Sequence, residues 1–368
     1  MASLSTPAGF VIGSGINNFS SVFTRVKDGA YNASANWAVN SYDGAYSAIL
    51  QILVESGVLS ALALIGVFIS GFLLCRNKSS LILLGYIALA FLAAPASLML
   101  FLLLYCSLGM IASESTKNKK QNIHISDNKS LFLVGFINTS VLVTLTLLLL
   151  FALVPLYRAE VAMRNSVDAI ANNSLEELYN QQYVAVILNP YIERYRVNFS
   201  QTNLFVAKQM ATRSNPDQAI ITSSVQQAIN EAQAAIALNP KKSSNWENLG
   251  IIYKNVLGVK GAEQWAIAAF QRAILLDPQN VSYRLELGGT FYSLKEYENA
   301  IRIFQEAILL KPDLPNSYYN LAHAHYQNSN SKDAVRVMDS LLILLKKQSS
   351  ANYEKVLKER NDFASGTP

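Results

Sequence analysis

Cysteine, histidine and charge are all scarce in this chain of 368 residues, and each shortage removes a class of function. The two cysteines, Cys75 and Cys106, lie in or beside apolar runs with no CxxC spacing and no histidine nearby, so neither a metal site nor a disulfide is expected. The three histidines, His124, His323 and His325, have no nucleophile or metal-ligand partner at a useful spacing. No metal and no cofactor are therefore expected. Gly13-Ser14-Gly15 has no following Gly-Lys-Ser/Thr, which argues against a phosphate-binding loop. The opening MASLSTPAGF has neither the basic nor the apolar segment of a secretory leader. Either the first forty-odd residues are translocated as a tail, or the reading frame begins inside a longer membrane protein.

Charged residues make up 15% of the chain against 51% hydrophobic ones, a balance typical of membrane proteins rather than soluble enzymes. The net charge of +5 owes much to Lys117, Lys119, Lys120 and Lys129, a cluster that fits membrane topology better than a nucleic-acid partner. After it comes Leu131 to Leu156, without a single charge. At about 1.5 Å per residue this run exceeds a hydrocarbon core of roughly 30 Å. Residues 48–74 form a first span. Residues 80–112 read either as one long tilted helix or as a hairpin, 80–94 and 95–112, turning at Pro95. The hairpin puts both basic loops on one side, as the positive-inside rule favours, and leaves the soluble half outside the cytoplasm. Glu55 fits either the outer interface or a bundle-facing polar position.

The residues GSGINNFSSVF (13–23), Asn32, Trp37 and SYDGAYSAILQILVESGVLSALALIG (41–66) resemble the large extracytoplasmic loop and following helix of O-antigen ligase-like membrane proteins. The resemblance implies a bacterial cytoplasmic membrane, a lipid-linked glycan as substrate and catalytic side chains in this loop. Arg25 is its one arginine and the candidate catalytic residue. Where that family carries a His-Asn pair, this chain has Tyr46 and Ser47. The many spans that precede the loop in the family are absent, so a glycosyl transferase made of this chain alone is not expected. The match covers the C-terminal third of that fold.

The half after Tyr157 is organised by a repeat. Ala266, Ala300 and Ala334 are 34 residues apart, and so are Phe270, Phe304 and Met338, then Ala273, Ala307 and Leu341. Trp246-x-x-Leu249-Gly250-x-x-Tyr253 opens one unit, and Pro240, Pro278 and Pro312 close second helices. This pattern resembles the tetratricopeptide repeat (TPR) family. The expected fold is all-α: transmembrane helices followed by a TPR α-solenoid of about three to four repeats. The boundaries read as a loop over 1–47, a transmembrane region over 48–157 with its last span at 131–157, and a helical connector with degenerate TPR-like units over 158–242. Repeats over 243–348 follow, then a capping helix and tail over 349–368. Ser174 with Glu177 matches a capping box that opens a connector helix.

Such arrays resemble scaffolds that hold a protein or peptide partner in a groove lined by the first helix of each unit. The groove-facing positions are Glu247, Ile251 and Lys254, then Leu285 and Tyr292, then Tyr319, His323 and Tyr326. The tyrosines and histidine either form an aromatic recognition surface or pack between repeats. The chain therefore reads as a membrane-anchored scaffold in cell-envelope glycan assembly, with the array outside the cytoplasm. The alternative is the tail of an O-antigen ligase or polymerase acting on lipid-linked glycans.

Overall fold

The computed structural model describes residues 7–39, 42–117, 129–348 and 351–365. Residues 118–128, with His124, Lys119 and Lys120, lie outside the described residues, as do the extreme ends. Contacts divide the chain into one unit of residues 1–26 and 41–158 and another of residues 27–40 and 159–368.

The first unit opens with α1 (Pro7–Ile12) and α2 (Phe19–Val26), and its later part holds α3 (Ala48–Leu74), α4 (Lys78–Ala93), α5 (Leu98–Lys117) and the start of α6 (Lys129–Ala171). Helix α3 and the part of α6 from Val143 are long and apolar enough to cross a membrane. Within α3 the backbone leaves helical geometry at Gly57 (φ 78°), a conformation that glycine adopts without a Cβ clash. The carbonyls freed by that kink do not go unpaired. Val54 O accepts from the Ser14 N–H and hydroxyl, and Glu55 O accepts from the Gly15 N–H, all at 2.9 Å. The approach is so close that a Cβ on Gly13 would fall 2.4 Å from the Glu55 backbone. The Glu55 side chain is buried within the first unit. Its carboxyl oxygen accepts the Phe19 N–H (3.2 Å) in the first turn of α2.

Helix α4 runs back along α3, since the Ala48 N–H donates to Ala94 O (2.9 Å) and the Ser47 hydroxyl to Phe91 O (3.3 Å). The apolar stretch breaks between α4 and α5 at residues 94–97, around Pro95. Phe68, Phe91 and Phe101 meet edge to face at 5.5 and 5.2 Å in the small core of these helices.

In the second unit, the end of α6 from Ala159 packs with α7 (Leu175–Leu188), and α8 (Glu193–Ala211) pairs with α9 (Gln218–Leu238). Three further hairpins follow, α10 (Ser243–Lys254) with α11 (Ala262–Leu276), α12 (Val281–Ser293) with α13 (Tyr297–Leu310), and α14 (Pro315–Gln327) with α15 (Ser331–Lys347), and α16 (Tyr353–Ser365) closes the stack. Sequence chemistry sets the ends of these helices. The Ser174, Asp217, Asn280 and Asn330 side chains each accept a first-turn N–H, and proline follows the last residue of α7, α9, α11 and α13 by two. The turn inside each of the last three hairpins has a left-handed residue, Gly261, Lys295 and Ser329, again 34 apart.

The small residues that mark the repeat are where the two helices of a hairpin touch. A Cβ on Gly250 would lie 2.8 Å from the ring of Phe270, and one on Gly288 would lie 2.5 Å from the ring of Phe304. In the third hairpin Ala322 takes the place of glycine and Met338 the place of phenylalanine, both fully buried in one cluster. The larger small residue is thus matched by the more adaptable large one. Replacing Gly288 by Val should cost roughly 3 kcal/mol, because the buried Phe304 ring must leave its rotamer or the helices must separate. Thermal unfolding followed by circular dichroism should show a clear drop for G288V and almost none for Gly258→Val, whose surroundings are open.

Candidate partner-binding groove

The first helices of the last three hairpins, α10, α12 and α14, stand side by side and line a groove within the second unit. A cavity of about 400 Å³ in it is bounded by Lys254, Leu285, Glu286, Gly289, Tyr292 and Phe304 on one side and by Asn316, Tyr319, Asn320 and His323 on the other. Lys254, Leu285, Tyr292, Tyr319 and His323 are thus brought together around one space. The period dictates this, since positions 34 or 38 apart return to the same face of successive first helices.

Other positions singled out in the sequence lie elsewhere. Tyr326 is stacked on Phe363 of α16, ring centroids 4.1 Å apart and nearly parallel, so the terminal helix covers it. Phe363 also meets His323 edge on at 5.1 Å. Glu359 of the same helix faces the Tyr319 hydroxyl and His323 Nε2, each at 3.4 Å. Helix α16 therefore closes one end of the groove. Ile251 packs into the interior between hairpins. Arg25 belongs to the first unit and is exposed in the last turn of α2. No group of three metal-ligating side chains is assembled among the described residues.

Three polar members of the lining, Glu286, Asn316 and Asn320, escaped the sequence reading. Glu286 receives the Lys254 ammonium at 2.9 Å, an ion pair across adjacent first helices that leaves both partners partly open to solvent. Asn316 and Asn320 are one turn apart on α14 and offer amide donors and acceptors on the same face. Their signal was present but weak: polar residues at groove-facing offsets next to the aromatic ones.

Glu247 is half-buried on α10 and does not line the cavity. Its carboxyl is pushed up to about 7, first by burial and then by the negative charge of Glu286 and Asp277. The folded chain therefore holds this proton more tightly than the unfolded one. The stability tied to it is complete below about pH 4.5 and is lost as pH rises through about 7. Replacing Glu247 by Gln should leave stability near pH 4 close to that of the parent and raise it at pH 8 by on the order of 2 kcal/mol. Chemical denaturation at the two pH values checks the difference.

Residues 288–329, from Gly288 in α12 to Ser329 after α14, match the TPR repeat family. The chain carries a TPR repeat domain. Solved structures similar to it include a MamA protein (17% identity, TM-score 0.42, covering 52% of this chain and 94% of that one). A thermophilic TPR protein from Thermus thermophilus shows 17% identity and a TM-score of 0.38, covering 56% of this chain and 97% of that one. YrrB, described as a TPR protein with an unusual peptide-binding site, shows 14% identity and a TM-score of 0.40, covering 54% of this chain and 90% of that one. No curated relative matches the chain. The TPR domain is a helical-repeat scaffold of the kind that mediates protein interactions.

Proposed function

We propose that the chain is a membrane-anchored scaffold whose TPR groove binds an extended segment of a partner protein outside the cytoplasm, in the assembly of cell-envelope glycans. The observation that carries this reading is the composition of the groove. Half-buried Tyr292 and Tyr319 give apolar contact at low entropic cost, and the amides of Asn316 and Asn320 can pair with the main chain of a peptide in either sense. The Lys254–Glu286 pair at the α10 end supplies charge of both signs. The membrane part of the reading is supported by the length and apolarity of α3 and α6 and by the lysine cluster between the spans. The resemblance of residues 13–66 to an O-antigen ligase-like loop and helix supports placing the chain in a bacterial cytoplasmic membrane.

A second reading is that the chain is the tail of an O-antigen ligase or polymerase-type glycosyl transferase. What favours it is that two parts of the stretch carrying the resemblance, residues 13–23 and 42–66, meet in the first unit, Ser14 and Gly15 seated on the kink of α3. Arg25 would then be the residue to test in glycan transfer.

The scaffold reading is tested by selecting peptides from a random display library against the full chain in detergent. Selected peptides should lose at least tenfold in affinity with Tyr292→Ala or Asn320→Ala, about 1.4 kcal/mol or more. Leu309→Ser, at a position 80% exposed on α13, should leave them unchanged. Peptides indifferent to both groove variants would contradict the reading.

A further inference from the structure

The second unit includes residues from far upstream. Lys27–Asn40, ahead of α3 in the chain, belong to it, with a 3₁₀ turn at Gly29–Ala33. They dock on the edge of the array where one hairpin turns into the next. Four such turns place the residue before proline in the same backbone conformation: Asn189 (φ −142°, ψ 83°), Asn239 (−142°, 85°), Asp277 (−138°, 80°) and Lys311 (−145°, 87°). The first two are neutral amides. The last two carry opposite charges, and they are the two that the upstream segment crosses.

One contact pairs opposite charges, and the other seats a cation of the array on a carbonyl and an aromatic face of the segment. Lys27 Nζ lies 2.9 Å from Asp277 Oδ2, the two side chains 3% and 0% exposed. Lys311 Nζ donates to Asn32 O at 2.8 Å and sits 4.7 Å from the centroid of the Trp37 ring. Asn32, itself buried, donates its amide to Gln279 O (3.0 Å) and Leu310 O (3.3 Å). Leu310 ends α13, so its carbonyl is one that the helix leaves without a partner. A buried ion pair gains little net stability over an apolar replacement, but breaking one half of it is costly, which suits it to fixing which segment docks and in what register.

We infer that Lys27–Val39 is a built-in clasp recognising the Asp277/Lys311 edge of the array. If so, this segment and the array lie on the same side of the membrane, and the helices between them cross it an even number of times. The crossing count rests on the membrane reading above; the clasp does not.

The test places Gly29→Cys and Gln279→Cys in the full chain with Cys75 and Cys106 changed to Ser. A Cβ at residue 29 would lie 3.7 Å from Gln279 Oε1, within reach of a short bis-methanethiosulfonate linker. Most of the membrane-extracted chain should become internally linked monomer. Asp277→Lys should reduce linking at least fivefold, and adding Lys27→Asp should restore it. The clasp is overturned if no internal link forms although each single cysteine reacts with maleimide, if Asp277→Lys has no effect, or if only chain-to-chain dimers form. A chain that links internally but partitions wholly into the soluble fraction overturns the crossing count and leaves the clasp standing. A chain that links internally and stays with the membranes supports both.

Discussion

The contact on which the array depends is a small residue of one helix against a large one of its partner: Gly250 on Phe270, Gly288 on Phe304, Ala322 with Met338. It fixes how closely the helices of each hairpin approach, and that separation sets the pitch at which hairpins stack. A single hairpin cannot bury its own apolar face, so core clusters run from one unit into the next, as Phe270 of α11 joins Leu287 and Phe304 of the following hairpin. The groove is the other side of this arrangement. First helices held at constant spacing leave a continuous surface whose side chains can vary without disturbing the stack.

The charged groups form a second layer of order over the stack. Glu247, Glu286 and Asp277 lie near one another on α10, α12 and the intervening turn, and their mutual repulsion is relieved in two directions. Lys254 answers Glu286 on the groove side, and Lys27 answers Asp277 on the turn edge. Burial still outweighs the lysine at Asp277, whose carboxyl remains above its ordinary range. The edge and the groove are thus electrostatic neighbours while presenting different chemistry.

Much of the array was legible in the sequence because a period of 34 residues ties each residue to a place in a hairpin. The small-to-large contacts, the closing prolines and the capping serine at position 174 all follow from local spacing. What the period does not encode is what lies on top of it. Tyr326 has the same offset in its helix as Tyr292, yet Phe363 of the non-repeating α16 covers it. The clasp was invisible for a similar reason: its partners are about 250 residues apart in the chain and it lies outside the repeat, so no periodicity points to them. One trace existed, the change from Asn-Pro at 189 and 239 to Asp-Pro at 277 and Lys-Pro at 311. In the first unit the glycines of 13–15 read only as turns, whereas their work is to let a loop approach the opened backbone of α3.

The central claim is that a membrane-held array presents its groove outside the cytoplasm. The most direct measurement is labelling of intact cells with a membrane-impermeant thiol reagent, using single cysteines at Ile16, Ser115 and Lys260 in a chain lacking Cys75 and Cys106. The account predicts labelling at Ile16 and Lys260 in intact cells and at Ser115 only after permeabilisation. An array that labels at Lys260 only after permeabilisation, or that labels from the side opposite to Ile16, would contradict it.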